Sequence, residues 1–380
     1  MPIVANDPLA VVAPELARKV SDLLTSSIVR GTLTGYNSGF RSLCEFCAPL
    51  GLLALPASSV TLVAWMHHLT HKPKPVRPKS VKKYLSGVRF FHIANGHAWT
   101  MSDDPVLHMA KRALARRFPE APQRLKVPIS VGLLWRMCLS IQHFPFPERM
   151  LFDDVLWVTA SCIMLLGALR GGELTRVKGT SRPVLLGQDI FLFNIRELDG
   201  SVSSGVKILI RAPKTEPGAA FQEAFAVDAS GSFPLNPSFW LSAYRRAAGA
   251  LGLRVLDTYP AFKDARGVTL SRDYMVDRAN VLRNATGACV RDVDGSAVPF
   301  LAASWRAGFV LSARAAGMSE FLIRKAGRWA SAGGPAPYTF ASMTEFRSAA
   351  LAMAAAASSA QLSAVFDVGS FNSACIFEHA

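Results

Sequence analysis

Val155-Leu-Trp-Val-Thr-Ala-Ser-Cys-Ile-Met-Leu-Leu-Gly-Ala-Leu-Arg170-Gly-Gly-Glu173-Leu174 is the most informative stretch of this chain. From Val155 to Leu169 nearly every side chain is apolar. No face is left for water, so a helix over Phe152–Leu169 reads as the buried centre of a domain. The run is too short to span a bilayer, which takes about 20 apolar residues, and Thr159, Ser161 and Gly167 interrupt it. It ends in a cation. An arginine at the edge of such a helix needs a partner, and its planar fork suits two oxygens of one phosphate. The alternative is an internal ion pair with Glu173, three residues on. Taken alone, the two readings carry equal weight.

Upstream, Val131–Ser140 reads as a further helix, and Pro119–Pro128, with prolines 119, 122 and 128, reads as a linker between domains. Ahead of it, Tyr36, Phe40, Leu43 and Cys47 recur at helical spacing within Thr32–Leu50. Pro56–Ser59 is a turn with a capping serine that opens a helix through Val63, Trp65 and Leu69. Lys72–Pro78 holds too many prolines to be helical. A helix capped by Ser80 follows, with Val81, Tyr84, Leu85, Val88 and Phe91 as its apolar stripe. Pro105–Arg117 gives one more. The expected organisation is a lead-in over 1–20, a small all-helical domain over 21–118, the linker over 119–128, and a larger domain over 129–350. A C-terminal helix and tail would occupy 351–380.

The larger domain turns β in its middle. Phe191–Ile195 and Val206–Arg211 are rich in β-branched and aromatic residues. Helices resume over Ser238–Ala250, Ser304–Ala316, Glu320–Ala326 and around Tyr338, and Ala349–Ala360 reads as a last helix. The fold class expected is mainly α with a small antiparallel β-sheet.

Charge supplies the first functional clue. The chain carries a net charge of +15 over 380 residues. From Lys72 to Lys126 there are thirteen Lys or Arg against three acids, Asp103, Asp104 and Glu120. Such density favours a polyanionic partner, of which nucleic acid is the commonest. Lys79, Lys82, Lys83, Ser86 and Arg89 project away from the apolar stripe of their helix, as a helix lying along DNA requires. Lys111, Arg112, Arg116 and Arg117 end the next helix, and Arg124 and Lys126 flank the linker. The plainer reading is a solvated basic face. Lys72–Lys83 serves equally as phosphate contact or as a nuclear import signal. Cys44 and Cys47 form a CxxC, but they lie in an amphipathic run with no second ligand pair at zinc spacing, so core packing is preferred to a metal site. Nothing in the spacing of the six cysteines argues for disulfides.

Three further clusters share chemistry with Arg170. Lys214 stands after a strand, in a turn, where it is either solvated or placed to protonate a leaving 5′ oxygen. Ala303-Ser304-Trp305-Arg306 precedes Ala326-Gly327-Arg328-Trp329, and Tyr338 follows. Arg306 to Trp329 is 23 residues and Trp329 to Tyr338 is nine. Outside this spacing, Tyr338 would read as a half-buried helix aromatic. This ordered set, spanning about residues 30 to 350, resembles the tyrosine recombinase or phage integrase family. Thr34–Phe46 and Leu322–Trp329 look most like the enzymes of eukaryotic Crypton and DIRS-type mobile elements.

The resemblance implies a SAM-like helical core-binding domain followed by a catalytic domain, together clamping a duplex. It implies that Arg170 and Arg306 hold the scissile phosphate, that Glu173 supports the arginine pocket, and that Lys214 is the general acid. Trp329 would occupy the family's His/Trp position. Tyr338 would attack to leave a 3′-phosphotyrosyl link, with no metal or other cofactor needed. The partners implied are double-stranded DNA and further copies of the chain, in a DNA-bound tetramer docked through the C-terminal helix, with no membrane. Location would be the nucleus in a eukaryote and otherwise the cytoplasm or nucleoid. One position departs from the family: Ala303 stands where histidine is usual, three residues before Arg306. That departure keeps open a weak or inactive relative that only binds DNA, and the shared chemistry keeps open a topoisomerase IB-like relaxing enzyme.

Overall fold

The computed structural model describes residues 8–28, 30–118, 127–178, 184–196, 200, 202–211, 221–229, 235–287, 297–329 and 343–358. The chain divides into two compact units, Met1–Arg124 and Leu125–Ala380.

Among the described residues the first unit is all helix: α1 (Pro8–Val12), α2 (Pro14–Ser26), α3 (Arg30–Cys47), α4 (Ser59–His71), α5 (Pro78–Ala94) and α6 (Pro105–Arg117). The described part of the lead-in assigned to 1–20, residues 8–20, is therefore largely helical. Pro14 opens α2, Glu15 lies in its first turn, and Ala17 is buried. Leu43, Cys47, Leu62, Trp65, Leu69, Val81, Leu85 and Val88 form the core, so Cys47 packs as an apolar side chain. Helices α3 and α5 touch backbone to backbone through a reciprocal pair of glycines. A Cβ on Gly39 would meet the Tyr84 Cα at 2.6 Å, and one on Gly87 would meet the Tyr36 Cα at 2.7 Å. The cap of α5 is not Ser80. Arg77 takes the N-cap position and Pro78 the first helical turn, where proline's fixed φ and missing N–H cost nothing.

The second unit has α7 (Val131–Leu139), α8 (Phe152–Leu166) and the one-turn α9 (Gly171–Leu174). The strands β1 (Ile190–Arg196), β2 (Val202–Arg211) and β3 (Phe221–Val227) follow. Then come α10 (Pro237–Ala250), α11 (Arg272–Ala285), α12 (Ser304–Ala315), α13 (Glu320–Gly327) and α14 (Met343–Ser358). The protein is thus mostly helical with a three-stranded antiparallel sheet in the order β1-β2-β3. β2 begins at Val202, four residues earlier than its apolar run indicates. β3 and α11 have no counterpart in the sequence reading. β3 owes its conformation to pairing with β2, Gly205 opposite Val227 and Arg211 opposite Phe221.

Helix α8 is buried from Asp154 to Leu166. Its polar atoms are used internally: Thr159 donates to the Val155 and Trp240 carbonyls, and Trp157 donates from Nε1 to the Met275 carbonyl of α11. α8 stops at Leu166 rather than Leu169, because Ala168 turns into the left-handed region at φ +46°. Helix α14 lies on its own unit against α7 and α12, with Ala350, Met353 and Ala354 buried, so a domain end at residue 350 would cut through it. The helix expected around Tyr338 and residues 359–380 lie outside the described residues.

α12 is seated by close approach to the segment before α7. Ile129 donates its amide to the Ser304 carbonyl at 2.9 Å, and Val131 donates to the Ser312 Oγ at 2.9 Å. A Cβ on Gly308 would lie 1.8 Å from the Ile129 oxygen, whereas one on Gly249 would meet nothing within 4 Å. Gly308→Ala is therefore expected to destabilise the chain by about 1–3 kcal/mol or more, as overpacking does. Gly249→Ala, in open space on α10, should stabilise it by about 0.5–1 kcal/mol. Urea midpoints compare the two, and a Gly308→Ala protein as stable as wild type would show that α12 is free to shift.

Candidate active site

The end of α8 and the start of α9 form a tight reversal. Leu169 donates its amide to the Met164 carbonyl at 2.9 Å, and Arg170 becomes the N-cap of α9. Both sides of the Arg170–Glu173 pair are then used. The Arg170 amide donates to Glu173 Oε2 at 2.8 Å and its Nη1 donates to Oε1 at 2.8 Å. The internal ion pair is real, so that plainer reading of Arg170 holds as a description of its contact. Gly171 brings the second segment close, since a Cβ there would meet the Ala302 Cβ at 2.9 Å. Ala302 leads directly into α12.

On α12, Ser304, Trp305 and Arg306 are all buried. Ser304, the hydroxyl nearest to Ala303 in sequence, accepts the Leu301 amide through its Oγ. Arg306 donates from Nη2 to the Gly327 carbonyl, and its Cζ stands 4.2 Å from the centroid of the Trp329 ring, a cation–π contact. Trp329 reaches that position only because residue 327 is glycine. A Cβ there would lie 1.7 Å from the indole. Arg328 caps α13 in the left-handed conformation at φ +55°, a position normally taken by glycine. Its side chain turns inward and donates from Nη2 to Glu173 Oε2 at 2.8 Å and to the Ala168 carbonyl at 3.4 Å.

Three guanidinium groups therefore surround one carboxylate, leaving two positive charges in surplus among the described residues. Burial, aided by Arg170 and Arg328, pushes Arg306 down to about 9, and Glu173 opposes the shift. Arg306 stays charged at neutral pH. Arg328 is lowered too, again by burial first and with Glu173 opposing. Arg306 Nη1, Arg328 Nε, Arg328 Nη1 and Trp305 Nε1 are buried without a hydrogen-bond partner among the described residues. Each such donor costs about 1–3 kcal/mol unless something accepts from it. Surplus charge and unused donors together mark this cluster as a candidate site for an oxyanion.

Of the residues expected to carry chemistry, Arg170, Glu173, Arg306 and Trp329 meet here. Ala303 is exposed at the N-cap of α12, one turn before Arg306, and offers no polar group. Lys214, Tyr338, Arg124 and Lys126 lie outside the described residues. In the first unit, Lys79, Lys82, Lys83, Ser86 and Arg89 are exposed on α5. They share one side of the helix, opposite Val81, Leu85 and Val88. On α6, Arg112, Arg116 and Arg117 are exposed and Lys111 is half-buried. Arg328 was not singled out from sequence. A cation directly after a helix-ending glycine and before a tryptophan was the available signal.

No family model and no curated protein matches this chain. Among solved structures it is similar to XerH site-specific recombinase bound to difH substrate in a pre-cleavage complex. That match has 11% identity and a TM-score of 0.39, over 77% of this chain and 66% of the other, just under two thirds of its length. It is also similar to XerH bound to palindromic difH substrate in a post-cleavage complex, at 12% identity and a TM-score of 0.39, over 77% and 69% of the two chains.

Glu173→Gln tests the electrostatics. Removing one partner of a buried charge cluster costs about 3–5 kcal/mol, and here it leaves two arginines unpaired. Denaturant melts should show a loss of that order, and sulfate should restore more stability to the variant than to wild type. A variant of unchanged stability would mean that the carboxylate does not balance the arginines.

Proposed function

We propose that this protein is a tyrosine recombinase, cutting and rejoining DNA strands through a 3′-phosphotyrosyl intermediate. The observation that carries the reading is the convergence of Arg170, Arg306, Glu173 and Trp329 on one buried site with surplus positive charge. These are the residues the family pattern names, and they come from segments more than 130 positions apart. Arginines so placed suit the non-bridging oxygens of a phosphodiester, whose charge grows as phosphorus becomes pentacoordinate.

In this reading Tyr338 attacks phosphorus as its phenolic proton passes to solvent, the P–O5′ bond breaks, and Lys214 gives the leaving oxygen its proton. The bond energy stays in the phosphotyrosine, so rejoining requires only the reverse attack by a 5′ hydroxyl. The exposed basic side of α5 and the end of α6 contact backbone phosphates. A tetramer on paired sites and a mobile-element context, of Crypton or DIRS type, complete the proposal.

Tyr338→Phe should abolish the denaturation-resistant adduct with a nicked suicide duplex while leaving duplex affinity nearly unchanged. A persisting adduct would assign the nucleophile elsewhere. The exposed Ala303 favours a second reading, a family member that binds DNA without cutting it. Ala303→His separates the two. General acid–base help is worth typically about 10²–10⁴-fold, so an impaired enzyme should gain adduct formation measurably. If neither form cleaves while both bind tightly, the binding reading replaces the enzyme.

Neutralising Lys82, Lys83 and Arg89 together should weaken binding to every duplex. The slope of log affinity against log salt should flatten by about 0.9 for each lost phosphate contact. An unchanged slope would return this face to solvent.

A further inference from the structure

Arg328 has no step of its own in the strand exchange proposed above, yet it is among the most enclosed charges of the described residues. Its side chain is 6% exposed and that of Glu173 is 5% exposed. The backbone holds it there in a conformation that a side chain other than glycine adopts at a cost, φ +55° and ψ +44°. A surface arginine would not need such a turn. The turn aims the guanidinium inward, where Nη2 takes the Oε2 of Glu173 and Nε and Nη1 have no partner among the described residues.

Glu173 is thus divided. One oxygen faces Arg170 Nη1 at 2.8 Å and the other faces Arg328 Nη2 at 2.8 Å. Without Arg328, the carboxylate would serve Arg170 alone, and the pair would be close to neutral. Arg306 would then be the single effective cation, matched to a phosphodiester with its one negative charge. With Arg328 present the cluster holds two charges in surplus, matched to a phosphorane with two. We propose that Arg328 is a positioning residue of the anion site, taking one oxygen of Glu173 so that Arg170 keeps its charge for a dianion. It rests on the phosphate reading for the identity of that dianion. Interactions stronger in the transition state than in the ground state accelerate the chemical step rather than binding. Arg328 should therefore count in the rate of cleavage and hardly in the affinity for DNA.

The test uses the full chain with Arg328→Met, which removes the charge, and Arg328→Lys, which keeps it. With a nicked suicide duplex at saturation, Arg328→Met should slow single-turnover adduct formation by roughly a hundred- to a thousandfold, the loss seen for one oxyanion donor. Its duplex affinity should stay within about threefold of wild type, and Arg328→Lys should recover part of the rate. The second readout is the melting temperature in sulfate against chloride at equal ionic strength. Wild type and Arg328→Lys should be stabilised selectively by sulfate, and Arg328→Met should not. An Arg328→Met protein that keeps both rate and sulfate response overturns the proposal. So does one that loses DNA affinity and helical circular dichroism together, since Arg328 would then be a folding residue. If wild type forms no adduct but the sulfate response follows the charge at 328, the proposal for Arg328 stands and the recombinase reading falls.

Discussion

The carboxylate of Glu173 joins parts of the chain that are distant in sequence. Through its two oxygens it holds the reversal after α8 to the end of α13, and the approach of Gly171 to Ala302 places α12 alongside. A buried carboxylate facing one arginine would be an ordinary ion pair. A buried carboxylate facing two, with a third arginine close enough to feel both, is short of negative charge. Such a cluster is a poor device for stability, because burying charges costs more than their pairing returns unless every group is satisfied. Its retention in the interior makes sense when an incoming anion completes it.

Precision at this cluster comes from small residues rather than from large ones. Gly171 lets α9 touch Ala302, Gly308 lets α12 touch the Ile129 carbonyl, and Gly327 lets the Trp329 ring lie over Arg306. Each contact leaves no room for a methyl group, so each fixes a separation that longer side chains would leave adjustable. The buried helix α8 gives these contacts a common reference. It is buried on every side, so it cannot roll or slide without opening a cavity, and the reversal at Gly167–Arg170 is anchored to its end.

Much of this was legible in the sequence where pattern and environment agree. The unbroken apolar run of α8, the stripe of α5 and the β-branched runs of β1 and β2 each announce an element whose surroundings match its local preference. What was missed lacked that agreement. α11 carries Arg272, Asp273, Asp277, Arg278 and Arg283 between its apolar residues, and its place depends on burying Met275, Ala279 and Leu282 in the core beside α7. β3 is an alternating segment with a glutamine, a glutamate and two alanines, and it becomes a strand by pairing with β2. For the site, Arg170, Glu173, Arg306 and Trp329 were visible as an ordered set. Arg328 was not, because Gly327 and Trp329 on either side mark a helix end without saying that the residue between them turns left-handed and points inward.

The composition of the cluster also divides the chemistry. Its described members include three guanidiniums, one carboxylate and the Trp329 indole, groups that hold charge and hydrogen bonds. Arg306, the most depressed of them, reaches only about 9, and the oxygens of Glu173 are taken by Arg170 and Arg328. Ala303, at the position one turn before Arg306, adds no titratable group. A site built this way can stabilise charge on phosphorus but cannot move a proton to or from it. Any proton transfer of the proposed phosphoryl exchange then has to come from groups other than these. Charge stabilisation needs groups held rigidly before the substrate arrives, which is what burial of Arg306 and Arg328 secures.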